Sequence, residues 1–212
     1  MKVKHLLHPT YFPNIATFAV LVNNEICWEV EDNYQKQTYR NRCYIGTDQG
    51  KQMLNIPIKH VGGRQGRQKY KDVRLENEYH WQRQHWRSLQ TAYRASPFFE
   101  YYEDEIAPLF EKENNFLMDF NLKTIEIICD CLQIEMPIGR TISYEPHTTD
   151  FKDSRVLVQC KNELDFCLHE YAQVFEERCG FIKNTSVLDL LFNEGTNTLS
   201  YLKNQKSNFL NV

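Results

Sequence analysis

The sequence has no apolar run that approaches the roughly 20 residues needed to span a bilayer, which excludes a membrane-spanning helix and membrane insertion. Its opening, Met1-Lys2-Val3-Lys4-His5-Leu6-Leu7-His8-Pro9, is apolar for too few positions to be a signal peptide, so a cytoplasmic location is expected. There is no CxxC pair among the seven cysteines, which argues against a zinc ribbon. Cys27, Cys129, Cys131 and Cys167 lie in apolar surroundings, and buried reduced thiols are the plain reading. The glycine-rich dinucleotide fingerprint and the Walker loop are both missing. His169-Glu170 alone is a poor ligand set, so no required metal is expected, and the cofactor is left unknown. Internal repeats and low-complexity stretches are absent. So are a defined nucleophile and paired carboxylates.

What is present is aromatic and unevenly charged. Thirteen Phe, twelve Tyr and three Trp in 212 residues exclude a disordered chain. That length favours a single domain over residues 1–212 with a core of its own. The net charge of -3 hides a division. Residues 1–96 carry 15 Lys and Arg against 8 Asp and Glu, or +7; residues 97–212 carry 10 against 20, or -10. A basic half suits an anionic ligand, although the halves can also neutralise each other.

The hydrophobic pattern alternates between strand and helix. Residues 3–8 read as a first strand. Asn14 reads as an N-cap to a helix from Ile15 to Val22, and Glu25 to Val30 as a second strand. Asn41–Thr47 and Gln52–Ile58 read as strands joined at Asp48-Gln49-Gly50, with Pro57 marking an edge or an end. Asp72–Glu76 reads as a short strand, and helices are expected over 79–94, 99–112 and 115–133. Arg140–Tyr144 and Arg155–Gln159 read as further strands before a helical tail. In that tail Ser186-Val187-Leu188-Asp189 has capping-box spacing. Gly195 is expected to end a helix. The fold class is therefore α/β, a mixed or mostly parallel sheet flanked by helices. Residues 1–78 form a strand-rich basic half and residues 79–212 a helix-rich acidic half.

Several blocks share one resemblance. His8-Pro9-Thr10-Tyr11-Phe12-Pro13 is similar to the opening Gln-Pro-x-Tyr-Phe/Leu-Pro signature of the WbqC-like family. Tyr34-Gln35-Lys36 through Arg40-Asn41-Arg42 resembles its Tyr-x-Lys and Asn-Arg block, and Asn55-Ile56-Pro57-Ile58 its Leu-x-x-Pro-Val strand. Trp81, His85, Tyr93, Pro97-Phe98-Phe99 and Leu117 continue the match, and the tail from Gly180 to Gly195 resembles the family's C-terminal signature. The chain departs from the pattern at His8, where the family has Gln. The usual acidic pair after the second strand is reduced to Glu31. The resemblance implies a setting in bacterial surface-polysaccharide synthesis, O-antigen production in particular. It implies no mechanism.

The candidate site residues follow from chemistry and position. His8 ends the first strand, where open α/β sheets bind ligands, and an imidazole there suits general acid or base work. Its alternative is a hydrogen-bonded histidine that orders the turn. Lys36, Asn41 and Arg42, with Arg40, offer donors to a phosphate or carboxylate; a charged strand edge is the alternative. The segment from Lys59 to Lys71 carries Arg64, Arg67 and three glycines, as a lid over an anion, a contact for nucleic acid or a plain solvated loop. Trp81, His85, Ser88, Ala92 and Tyr93 share a helical face that is either a core face or an aromatic wall with a second proton-transfer group. The leading expectation has His8 and His85 moving protons while Tyr11, Lys36, Asn41, Arg42, Arg64, Arg67 and Tyr93 bind substrate. It describes a cytoplasmic enzyme, of transferase type, acting on an activated sugar such as a nucleotide sugar, or on a related phosphorylated intermediate. A non-catalytic metabolite- or partner-binding protein is the alternative. Nucleic acid is disfavoured by the acidic balance, and the oligomeric state stays open.

Overall fold

Asn14 takes extended backbone angles, and its side-chain oxygen accepts from Thr17 N at 2.9 Å, closing one of the free donors of a helix start. Helix α1 (Ile15–Asn23) follows, and every residue from Ile15 to Leu21 is buried. A helix so apolar on all sides must be packed on all sides. The computed structural model, which describes residues 3–59, 68–161 and 168–205, sets this helix between parallel strands β1 (Lys4–Leu7) and β2 (Glu25–Trp28). Neighbouring parallel strands need such a crossover, because a tight turn only reverses direction. Both strands are buried beyond their first residue, as befits a sheet covered on its two faces.

Strands β3 (Arg42–Thr47) and β4 (Gly50–Asn55) pair antiparallel as a separate hairpin. Its turn is the Asp48-Gln49 step, and Gly50 closes it at φ 90°, a conformation that glycine adopts freely. Helices α2 (Trp81–Tyr93), α3 (Phe99–Ile106), α4 (Pro108–Glu111) and α5 (Leu117–Cys131) come next. Two very short strands then complete the sheet. β5 (Gly139–Arg140) pairs with β2, and β6 (Lys152–Asp153) with β1, so the order is β5-β2-β1-β6 and all four run parallel. Helices α6 (Glu176–Cys179), α7 (Val187–Glu194) and α8 (Thr198–Asn204) close the described chain. The fold is α/β, a mainly parallel sheet flanked by helices, with helices predominant in the C-terminal half. One apolar cluster runs from Leu7 and Phe18 through Trp28, Phe99 and Phe120 to Phe192 and Leu202.

Four local expectations fail, each for a physical reason. The strand expected over Arg140–Tyr144 stops at Arg140, because the Thr141 hydroxyl takes up Val30 N at 3.1 Å in place of a ladder bond. The helix expected over 99–112 is interrupted between Ile106 and Pro108, because proline cannot donate to the preceding turn. Asp72–Glu76 forms no strand; a 3-10 turn at Tyr70–Asp72 leaves only single bridges, Arg74 to Phe116 and Leu75 to Ile58. Arg155–Gln159 is no strand either, since Arg155–Val158 is a 3-10 helix and the strand lies just before it. The Asp153 side chain accepts from Arg155 N at 3.0 Å and turns the backbone there.

Candidate functional site

The carboxyl ends of the four parallel strands lie side by side. The β1–β2 register ends at Leu7 opposite Trp28, and Glu29 N donates to Leu7 O at 2.7 Å, carrying the pairing one residue further. On the flanks, Thr141 N donates to Trp28 O at 2.9 Å and Ser154 N to Leu6 O at 3.1 Å. The residues at or just beyond the four ends are therefore His8, Glu29, Thr141 and the Asp153–Arg155 segment. Ligands of open α/β sheets bind beyond this end.

His8 is the centre of a buried polar triplet. Its Nε2 lies 2.9 Å from Asp32 Oδ2 and 2.7 Å from Arg40 Nη2, and Arg40 Nη2 donates to Asp32 Oδ2 at 2.8 Å. A guanidinium only donates, so Nε2 either accepts from Arg40 or donates to Asp32, and both bonds are charge-assisted; we take the tautomer with the proton on Nε2, donated to Asp32. Nδ1 then keeps a lone pair, and it has no hydrogen-bond partner among the described residues. Burial pushes the imidazole down to about 4; the bond to Asp32 pulls it up, and the charges of Arg40 and Arg155 push it down. At neutral pH His8 is uncharged. Burial alone would raise the Asp32 carboxyl, but His8, Arg40 and the Asn33 N–H hold it below its ordinary value.

The triplet rests on a second layer. Arg40 is fully buried, with its guanidinium 5.3 Å from the centroid of the Tyr70 ring. Tyr70 OH donates to Pro9 O at 2.7 Å, and Asn121 Nδ2 donates to Arg40 O at 2.6 Å and to the Tyr70 hydroxyl at 2.5 Å. Tyr70 N also donates to Asp32 O at 2.9 Å, and Tyr34 N to Gln68 O at 2.8 Å, so residues 68–70 run beside the segment that follows β2.

A second charged group completes the sheet end. Arg155 grips Asp153 through Nε at 2.9 Å and Nη2 at 2.6 Å, and donates to the Glu145 and Pro146 carbonyls at 2.8 and 3.0 Å. Glu29 Oε1 accepts from Glu31 N at 2.8 Å and from Thr141 Oγ1 at 3.0 Å. Its Oε2 lies 3.6 Å from Arg155 Nη1 and makes no hydrogen bond to a described residue. Burial raises the Glu29 carboxyl, against the pull of Glu31 N, Thr141 and Arg155.

The other candidate residues fall in different places. Arg42 begins β3 two residues after Arg40; both charges act on the Tyr34 hydroxyl, and Arg42 Nε has no partner among the described residues. Lys36 is exposed. Asn41 is buried and donates to Asn55 Oδ1 at 3.1 Å and Ile56 O at 3.0 Å. Tyr11 is fully buried, 2.9 Å from its hydroxyl to His85 Nδ1, and His85 packs edge-on to Trp81. Burial pushes His85 down to about 4. Tyr93 donates instead to Asp189 Oδ2 at 2.6 Å, in a network with Tyr171, Gln173 and Gly46 N. The helix face of Trp81, His85, Ala92 and Tyr93 is buried, while Arg83, Arg87 and Arg94 are exposed. Arg64 and Arg67 lie outside the described residues. Asp189 is no capping-box acid: Ser186 Oγ accepts from Leu188 N at 3.3 Å, but the carboxylate turns inward to the tyrosines.

Sequence reasoning missed Asp32, Glu29, Asp153 and Arg155 as site residues. Each follows or ends a strand, and that position was the available signal for Glu29. β5 and β6, at two residues each, are too short to show any periodicity. Among the described residues no group of three His, Cys, Asp or Glu is placed to hold a metal ion. No described helix is long and apolar enough to cross a membrane.

A family model for the WbqC-like protein family matches residues 8–165, a span that begins at the site histidine and runs past Arg155. The chain belongs to the WbqC-like family. One curated relative is Rv1507c of Mycobacterium tuberculosis, described as an uncharacterized protein. It is 26% identical over 231 aligned positions, covering 96% of this chain and 98% of the relative. No solved structure matches. The family therefore accounts for the blocks around His8, Arg40 and Trp81, and leaves the chemistry to be argued from the site.

Proposed function

We propose that this WbqC-like protein is a cytoplasmic enzyme that modifies or transfers an activated sugar or a related phosphorylated intermediate, with His8 as its proton-transfer group. One observation carries the reading: all four parallel strands deliver a polar side chain to one end of the sheet, and His8 Nδ1 there is buried without a partner among the described residues. In this reading Asp32 fixes the ring and Arg40 balances Asp32. A neutral imidazole so held has its Nδ1 lone pair free to take a proton from a substrate hydroxyl or amine. Arg42 and Lys36, with Arg64 and Arg67 of the basic segment, hold the anionic part of the substrate. Asn41, Tyr11, His85 and Tyr93 support the site from within the fold. The setting that the family resemblance implies, bacterial surface-polysaccharide synthesis, supplies sugars of this kind.

A second reading, a non-catalytic metabolite-binding protein, is favoured by the burial of His8, which is only 4% exposed. A thermal-shift screen against nucleotide sugars, sugar phosphates, nucleotides and acyl-coenzyme A thioesters tests both, since a ligand that binds only the folded state raises its apparent stability. The enzyme reading expects a stabilising compound whose effect is lost in Arg42→Ala and which is turned over by the wild type but not by His8→Ala. Binding without turnover moves the assignment to the second reading. Silence across the panel rejects the sugar-phosphate class.

A further inference from the structure

Resting on the proposal that an activated sugar binds beside His8, we infer that its handle is a diphosphate laid across the outer face of the β3–β4 hairpin, with one phosphoryl group on Arg42 and the next on Lys51. The sugar then lies towards His8, and the far end of the ligand extends past Lys51.

The hairpin register puts the two cations on one face. Lys51 stands opposite Gly46, and Met53 opposite Tyr44. Alternate residues of a strand share a face, so Arg42, Tyr44, Lys51 and Met53 form one row. Cys43 and Ile45 point the other way, into the core. In the outer row Arg42 and Tyr44 are half-buried, while Lys51 and Met53 are exposed. Tyr44 lies between the cations. Lys51 Nζ rests 4.8 Å from the centroid of its ring, and Tyr39 meets that ring edge-on at 5.9 Å. The ring face draws Lys51 back along the hairpin towards Arg42.

Neither cation has a carboxylate. Arg42 and Lys51 form no ion pair with a described residue. Arg42 Nε is buried and has no acceptor among the described residues, so it has lost water there without gaining a partner. A phosphoryl oxygen supplies both the acceptor and the opposite charge. Arg40 also keeps an unpartnered Nε, but its side chain is fully enclosed and its charge is met by Asp32. Arg40 Nη2 lies 2.7 Å from His8 Nε2, so Arg42, two residues on, is the cation nearer the site and Lys51 the farther one.

A thiol reports on both. Tyr39 N donates to Val158 O at 2.9 Å and Thr38 bridges Gln159, which brings residues 158–160 beside the segment leading into β3. Burial pushes the half-buried Cys160 thiol there up to about 11, against the downward pull of the Arg42 and Lys51 charges.

Spacing selects the ligand class. Arg42 and the residue opposite Lys51 are four positions apart, about 14 Å of strand at about 3.4 Å per residue. Lys51 closes part of that gap by leaning over Tyr44. A single phosphate or a carboxylate gathers its oxygens around one atom and serves one cation. Two linked phosphoryl groups reach both, and their charge matches the pair.

The test uses the full chain with inorganic pyrophosphate, inorganic phosphate and acetate as probes. Affinity is read by calorimetry. Cys160 is read by its rate of alkylation with iodoacetamide, followed by peptide mass spectrometry with Cys131 of α5 as the internal control. The inference expects pyrophosphate to bind at least tenfold more tightly than phosphate or acetate. Lys51→Gln, at an exposed position, is expected to bring pyrophosphate down to the affinity of phosphate, and Arg42→Gln to weaken both. Bound pyrophosphate is expected to slow alkylation of Cys160 and leave Cys131 unchanged, because a neighbouring anion disfavours the thiolate. Equal affinity for pyrophosphate and phosphate, or a preference that survives Lys51→Gln, overturns the inference and leaves an anion site at Arg42 standing. Binding that survives Arg42→Gln and leaves Cys160 unchanged, or no binding of any probe, overturns both the inference and the reading it rests on.

Discussion

Arg40 Nη2 touches Asp32 Oδ2 at 2.8 Å and His8 Nε2 at 2.7 Å, joining three segments of chain at one buried point. The ion pair is enclosed, with the Arg40 side chain fully buried and that of Asp32 7% exposed. Breaking such a pair from one side leaves a bare charge in a poor solvent.

Asp32→Asn should therefore destabilise the fold by about 3–5 kcal/mol, measured by urea unfolding. Replacing both partners with apolar residues, as in Asp32→Leu with Arg40→Met, should recover most of that loss. A single variant as stable as the wild type would show that the pair is better solvated than its burial indicates.

The buried histidines predict a pH dependence. Burial lowers both His8 and His85 to about 4, against an ordinary value of 6.5. The unfolded chain takes up protons between those values that the fold refuses. Their contribution is complete above about pH 6.5 and is lost as pH falls towards 4, at up to about 3 kcal/mol per histidine. The raised Glu29 and Asp189 carboxyls act in the opposite sense at the acid end. Unfolding free energies at pH 7 and pH 5 should differ, and His85→Gln should reduce the difference. Equal stability at the two pH values rejects the assignment.

Tyr93→Phe removes one donor from the Asp189 carboxylate and leaves the others in place. The expected loss is about 1–3 kcal/mol in denaturant unfolding. Ligand affinity should be unchanged if Tyr93 supports the site from within. A change in affinity without a change in stability would return Tyr93 to the ligand's surface.

Gly195 ends α7 at φ 53° and lies flat against Phe98, whose ring a Cβ would overlap. Gly195→Ala should lose about 2–4 kcal/mol from backbone strain and overpacking together. Shortening the ring with Phe98→Leu in the same chain should recover part of it, and a thermal melt of the three variants reads the outcome.

Local chemistry is what the sequence by itself determined. Asn14 caps α1, Asp48-Gln49-Gly50 turns the hairpin, and Trp81, His85, Ala92 and Tyr93 share one face, because each depends on residues a few positions apart. The His-Pro turn and the Arg40–Arg42 segment were legible as candidates for the same reason. Only the tertiary structure decided what those residues meet. His8 finds Asp32 and Arg40 because β1 and β2 run parallel in register, and Glu29 finds Arg155 because a two-residue strand, β6, pairs with β1 across the chain. Pairings of that kind depend on closing long loops, and no periodicity in either partner announces them.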